Sequence, residues 1–146
     1  VVDLEVDLAS FEVTVRRVTS AQEIGRAIHP RLAEGQLEGG IAQALGWGLC
    51  EEVVMRGGRM ANGQLTNYVL PTSIDTPPID LVLLERLYPH GPFGAKGIGE
   101  LPMDGGAPAA VNALADALAI DLDRIPATPE RIALAWGAKA APGRSA

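Results

Sequence analysis

Pro89-His90-Gly91-Pro92-Phe93-Gly94-Ala95-Lys96-Gly97-Ile98-Gly99-Glu100-Leu101-Pro102 is the stretch from which the rest of this chain is best understood. Gly91, Gly94, Gly97 and Gly99 crowd one short segment, and a proline closes it at each end. Glycine permits positive φ and close approach of the backbone to another body. Flanking prolines argue against a helix or a central strand. A loop so poor in side chains has little to order it, so something is expected to press against its backbone. Its one carboxylate, Glu100, follows Gly99. Two readings stay open on these residues alone: a loop laid against a ligand that presents Glu100 to it, or an ordinary glycine-rich connection with a solvated glutamate.

Composition narrows the classes. The 146 residues fit one domain, and 47% are apolar, as in globular material. A formal charge of −6 and an acidic pI without a basic cluster argue against a nucleic-acid surface. No apolar run reaches the roughly 18 residues of a membrane span. One cysteine, Cys50, excludes an internal disulfide and fits a reducing compartment, so a cytoplasmic location is expected. One cysteine and two distant histidines argue against a zinc or iron–sulfur site within the chain. The chain opens on an alternating strand pattern from Val1, which reads as a cut or processed start with partner structure beside it.

Working back from the glycine loop, residues 79 to 88 read as a buried strand leading into it. Val2, Leu4, Val6 and Leu8 alternate with Asp3, Glu5 and Asp7, and Ala9-Ser10 turns the chain into a second strand carrying Val13 and Val15. The alternation slips at Arg16-Arg17-Val18, a bulge or the end of pairing. The two arginines are solvated or paired with the acidic first strand. Pro30 suits the first turn of a helix over about residues 31 to 54, with Leu37, Ile41, Leu45 and Leu49 as its apolar stripe. Interior glycines each cost a helix roughly 1 kcal/mol, so Gly39, Gly40, Gly46 and Gly48 imply that a backbone or ligand comes too close for side chains. Gln36, Gly40, Gln43 and Trp47 share a face, with Trp47 placed in the core. Gly57-Gly58 and Asn62-Gly63 are turns, the second suited to a hairpin. A helix starts at Asp104 or Gly105 and runs to about Ala119. Thr128-Pro129 caps a last helix that ends near Gly137, leaving residues 138 to 146 as a tail.

The chemistry-bearing candidates are few. The loop matches neither GxxxxGK[ST] nor GxGxxG. Its N–H groups are still able to form an anion nest, with Lys96 beside an anionic ligand. Glu51 and Glu52 are adjacent on the helix and point apart. His90 is a weak candidate for substrate contact. Glu100 alone has a setting that suits acid–base work.

Gly35-Gln36-Leu37-Glu38-Gly39-Gly40-Ile41-Ala42-Gln43-Ala44-Leu45-Gly46, followed by Gly91-Pro92-Phe93-Gly94-Ala95-Lys96-Gly97-Ile98-Gly99-Glu100, resembles the molybdenum hydroxylases. This is the xanthine dehydrogenase and aldehyde oxidase family, and the likeness is to the C-terminal part of its molybdopterin-binding subunit. The strand pair, Asn62-Gly63, Tyr68-Val69-Leu70-Pro71 and Ile125-Pro126-Ala127-Thr128-Pro129-Glu130-Arg131 follow in family order, so residues 1–136 form one segment and 137–146 a tail. The resemblance implies that Glu100 is the base beside the molybdenum, taking a proton as a water-derived oxygen adds to an electron-poor carbon. It implies that Gln36 and Gln43 face the pterin and that Ala95, Lys96, Gly97, Ile98 and Gly99 line the metal site. A base needs a pKa near its working pH, which burial helps to supply for a carboxylate, so Glu100 is expected to be buried. Leu101 departs from a common proline, and Gln22-Glu23 from an aspartate before Ile/Val-Gly.

The expected fold is α+β: sheet strands, a long glycine-rich helix and two C-terminal helices, part of a molybdopterin-binding domain. The implied function is oxidation of an N-heterocycle (purine-like) or an aldehyde, with molybdenum–molybdopterin shared with the remainder of the subunit. Iron–sulfur clusters and FAD would sit on partner chains or domains. The rival is a non-catalytic scaffold or assembly domain of the same fold. Alone, the chain is expected to expose apolar area and to self-associate.

Overall fold

The computed structural model describes residues 1–140. Among them, β1 (Val2–Val6) and β2 (Val13–Glu23) form an antiparallel hairpin. β5 (Ile79–Leu84) then lies parallel to β2, giving the sheet order β1-β2-β5. Between them come α1 (Pro30–Leu49) and a two-stranded ribbon, β3 (Met55–Arg56) with β4 (Arg59–Met60). After β5 the chain forms a short 3₁₀ turn at Pro92–Gly94, then α2 (Gly106–Leu118) and α3 (Pro129–Ala140). The α+β architecture is the expected one.

The slip at Arg16 is a bulge. Asp3 pairs with Arg17 and Leu4 with Val15, which leaves Arg16 as the extra residue. β1 stops at Val6, two residues short of the alternation, because Asp7 starts the turn and its carboxylate accepts the Ala9 N–H at 2.8 Å. Arg16 pairs with Glu5 on β1 as expected, whereas Arg17 reaches across the sheet to Asp80 on β5, each at 2.5 Å. β5 is shorter and wetter than expected. It ends at Leu84, and alternate residues, including Val82 and Leu84, face outward.

The inward face of the sheet meets α1 and α2. Val2 and Val18 pack with Ile41, Leu45 and Ala110 in one cluster. Leu114, Leu118, Ile120, Ala127 and Ile132 form a second, which the end of β1 and Leu49 join to the first. The leucine stripe of α1 is therefore core, as its spacing predicts. Pro30 sits at the helix start, and the His29 ring caps it by accepting the Leu32 N–H at 3.3 Å.

α1 ends at Leu49, not at residue 54. The N–H groups of Cys50 and Glu51 both close on the Gly46 carbonyl, and the chain beyond is held by tertiary partners. Glu51 and Glu52 are thus off the helix. The Glu51 carboxylate accepts from the Tyr68 hydroxyl at 2.9 Å, and that of Glu52 from Arg131 at 2.6 Å. Trp47, expected in the core, is 51% exposed. The hairpin turn of the ribbon is Gly57-Gly58, both at positive φ. Asn62 instead braces its base, accepting the Val54 N–H and donating to the Glu52 carbonyl.

The small residues of α1 have partners inside this chain. A Cβ on Gly40 would lie 2.2 Å from Pro102 Cγ, and one on Gly48 would lie 3.0 Å from Ala107. Gly106 of α2 returns the favour to Ala44, where a Cβ would approach to 2.5 Å. At Gly40 and Gly48 the close neighbours that the sequence implies are therefore Pro102 and α2. Gly39 differs, because nothing lies within 4 Å of the position of its missing side chain.

Thr128 caps α3 as expected, its hydroxyl accepting the Arg131 N–H at 3.4 Å. The helix runs three residues past Gly137, and Lys139 from its last turn donates to the Leu118 carbonyl at 3.0 Å. Residues 141 to 146 of the expected tail lie outside the described residues. The chain exposes 9750 Å², against roughly 7,100 Å² for a compact monomer of 15.3 kDa. Val53, Met55, Leu65, Val69 and Ile74 are among the large apolar side chains left outside.

Gly40→Leu is expected to lower stability by about 1–3 kcal/mol, since the side chain must displace Pro102. Gly39→Ala, entering open space in a helix, is expected to be neutral or stabilising by up to about 1 kcal/mol. Urea unfolding midpoints of the two variants check both signs.

Candidate functional site

β2 and β5 run parallel, so their C-terminal ends lie side by side, and each strand feeds a loop there. The loop after β2 turns at Gly25, whose φ is +66°. Here a side chain is excluded twice over, by the conformation and by crowding: a Cβ would stand 2.4 Å from the Gly94 carbonyl oxygen. Gly25 bridges to Ala95, the Lys96 N–H donates to the Ile24 carbonyl at 3.0 Å, and the Gly94 carbonyl accepts from Arg26 at 2.9 Å and Tyr88 at 3.0 Å. What presses on the first half of the glycine loop is therefore the β2 loop.

Two carboxylates tie these loops together. Glu23, the last residue of β2, accepts the N–H of Gly25 at 2.8 Å and of Arg86 at 3.3 Å, and its other oxygen pairs with the Lys96 ammonium. That pairing, chiefly, holds the Glu23 carboxyl below the usual carboxylate value, with the Gly25 N–H adding to it. Glu85, just beyond β5, accepts the Ala27 N–H at 2.5 Å. Lys96 also lies over the Tyr88 ring, 5.9 Å from its centre. Lys96 was expected to serve an anionic ligand; its charge is committed to Glu23 instead.

The second half of the loop is different. Gly97 and Gly99 have nothing within 4 Å of their missing side chains. Among the described residues, no hydrogen bond takes the N–H of Gly97, Ile98, Gly99 or Glu100. Gln36, from the second turn of α1, donates its amide N–H to the Gly99 carbonyl at 2.7 Å and so fixes this backbone with its donors free. Ile24, Ala33, Ala95, Ile98 and Gly99 line a cleft of about 410 Å³ between this segment and the start of α1.

Of the predicted site residues, Gln36, Ala95, Lys96, Ile98 and Gly99 come together at this cleft, with Gly97 and Glu100 in the same segment. Gln43 stands apart, exposed two turns further along α1, with Gly39 between it and Gln36. Glu100, expected to be buried, is exposed in this chain, because none of the chain's own apolar elements covers the loop on that side. His90 makes an edge contact with the Tyr88 ring, 5.6 Å between centres. Sequence reasoning overlooked Glu23, which entered only as a departure from a common aspartate. A signal was present in Glu23-Ile24-Gly25, an acid two residues before a glycine that ends a strand.

The described donors fit an acceptor-rich cofactor: four consecutive free N–H groups and two side-chain amides, on a surface with no side chains in the way. Residues 1–77 match the model of the molybdopterin cofactor-binding domain. The xanthine dehydrogenase molybdenum-binding subunit of Escherichia coli O157:H7 is 35% identical over 133 residues, covering 90% of this chain and 18% of that protein. The crystal structure of quinoline 2-oxidoreductase from Pseudomonas putida 86 superposes with a TM-score of 0.86 at 35% identity, over 92% of this chain and 18% of that one. Aldehyde oxidoreductase from Desulfovibrio gigas gives 0.85 at 30% identity, over 93% and 15%. The chain thus spans only 15–18% of the length of these relatives. With the family model matched over residues 1–77 and relatives at 35% identity over some nine-tenths of its length, it belongs to the molybdopterin cofactor-binding domain family of the molybdenum hydroxylases.

Proposed function

We propose that this segment forms one wall of the cofactor site of a molybdenum hydroxylase, with Glu100 as the base. The substrate would be an electron-poor carbon of an N-heterocycle, purine-like, or of an aldehyde, with the new oxygen derived from water. The observation that carries this reading is the run of free N–H groups at 97–100, held open by Gln36 and ending on an exposed carboxylate. Donors that the chain's own carbonyls do not take are open to an acceptor outside it. The names of the relatives supply the substrate range, since they include proteins named for xanthine, quinoline and aldehyde oxidation.

In this reading Gln36, Gln43 and the loop segment from Ala95 to Gly99, through its free N–H groups at Gly97, Ile98 and Gly99, bind and orient the molybdopterin cofactor. Gly39 leaves room between the two glutamines for the cofactor to lie on the helix backbone. When bound, the cofactor supplies the activation of water and takes up the two electrons of the oxidation. Glu100 accepts the proton released at the attacking oxygen and returns it to solvent or product. Its exposure in this chain matches a site closed by the remainder of the subunit. Iron–sulfur and FAD-carrying partners complete electron removal in this proposal, and the assembly works in the cytoplasm.

In the complete enzyme, Glu100→Gln is expected to keep molybdenum content and lower turnover by about 10²–10⁴-fold, because an amide cannot accept the proton. Turnover within threefold of the parent would favour a scaffold role. Gly39→Leu is expected to hold the unfolding midpoint while lowering molybdenum content, measured by metal analysis on purified enzyme. A fully loaded Gly39→Leu enzyme would remove the helix face from the cofactor site.

A further inference from the structure

In the cofactor-facing half of the glycine loop, Ile98 is half-buried while its neighbours are exposed. Side-chain positions at 97 and 99 are empty, and the N–H groups from 97 to 100 make no bond among the described residues. Apart from Ile98, what places this segment is therefore its two ends. At the far end Gln36 holds the Gly99 carbonyl, and Pro102 is seated against Gly40. At the near end the last anchored residue is Lys96, held by its N–H on Ile24 and by its ammonium on Glu23.

We propose that Glu23 is a positioning residue for the cofactor site, a single carboxylate that locks three segments in register. One oxygen takes the N–H of Gly25 and of Arg86, fixing the turn after β2 and the exit from β5. The other takes Lys96, the residue immediately before the free amides. The bonds to Arg86 and Lys96 reach 63 and 73 residues along the chain from Glu23. The Lys96–Glu23 pair is partly exposed, with side-chain accessibilities of 37% and 29%, so it adds little to global stability. Its effect is local: without it, the near end of the segment from 97 to 99 keeps only main-chain bonds, of which the Lys96 N–H on Ile24 is the last before the free amides. Glu23 touches neither the proposed base nor the donors that face the cofactor, and it acts through Lys96. The inference rests on the proposed cofactor-facing role of residues 95–99.

The test is made in the complete, cofactor-loaded enzyme with Glu23→Ala, Glu23→Gln, Glu23→Asp and Lys96→Met. Hydrogen exchange of the peptides that hold the Arg26 and Lys96 amides, bonded across the loop junction, and the Tyr88 amide, bonded to Gly94 at the base of the glycine loop, reads the register directly. Exchange there is expected to rise about fivefold or more in Glu23→Ala and Lys96→Met, with α2 peptides unchanged. It should rise less in Glu23→Gln, and Glu23→Asp should restore part of the protection. Turnover is expected to fall about tenfold in kcat at unchanged molybdenum content, with KM moving less. Exchange within twofold of the parent in both Glu23→Ala and Lys96→Met overturns the inference. Faster exchange at parental kcat supports Glu23 as the register lock and instead overturns the cofactor-facing reading of the loop.

Discussion

The seating of Pro102 in the space left by Gly40 is the contact on which the rest of this structure depends. Pro102 closes the glycine loop, and Gly40 lies mid-way along α1, so one contact joins the two motifs that carry the function. The same small-residue edge of α1 continues through Ala44 and Gly48 against Gly106 and Ala107, bringing two helix backbones together. Each helix-interior glycine costs roughly 1 kcal/mol in propensity, which close packing of the apolar stripe offsets. With α1 fixed at this height, Gln36 meets Gly99 without any further adjustment.

A division of labour inside the glycine run follows. Gly91 and Gly94 are structural, since a Cβ on either would strike the chain's own atoms, at the Ala95 carbonyl and at Leu87. Gly97 and Gly99 face open space, as does Gly39 on α1. These three glycines lie beside the free N–H groups or between the two glutamines. The same residue type thus serves packing on one side of the loop junction and access on the other.

The parallel pairing of β2 with β5 explains why the acidic side chains at the strand ends matter. Parallel neighbours deliver two chains to the same edge, where beyond the strands only the Gly25–Ala95 bridge and a few main-chain bonds join their loops. Glu23 and Glu85 add to these by accepting N–H groups from the opposite loop or its flank. Lys96 completes the arrangement by bringing the glycine loop to the same carboxylate.

The sequence by itself determined the elements whose pattern is local. Alternation marked the hairpin, a slipped alternation marked the Arg16 bulge, and spacing marked the core stripe of α1 and the cap at Thr128. It also determined the family, through two motifs in order, and grouped Gln36 with residues 95–99. What it could not determine were features decided by partners distant in the chain. The end of α1 depends on how Gly46 collects the next two N–H groups and how Tyr68 and Arg131 hold the glutamates beyond. The exposure of Trp47 and Glu100 depends on which faces the other elements cover. The role of Glu23 exists only where three separated segments meet, because a carboxylate gains such a role from the donors around it and not from its neighbours in sequence.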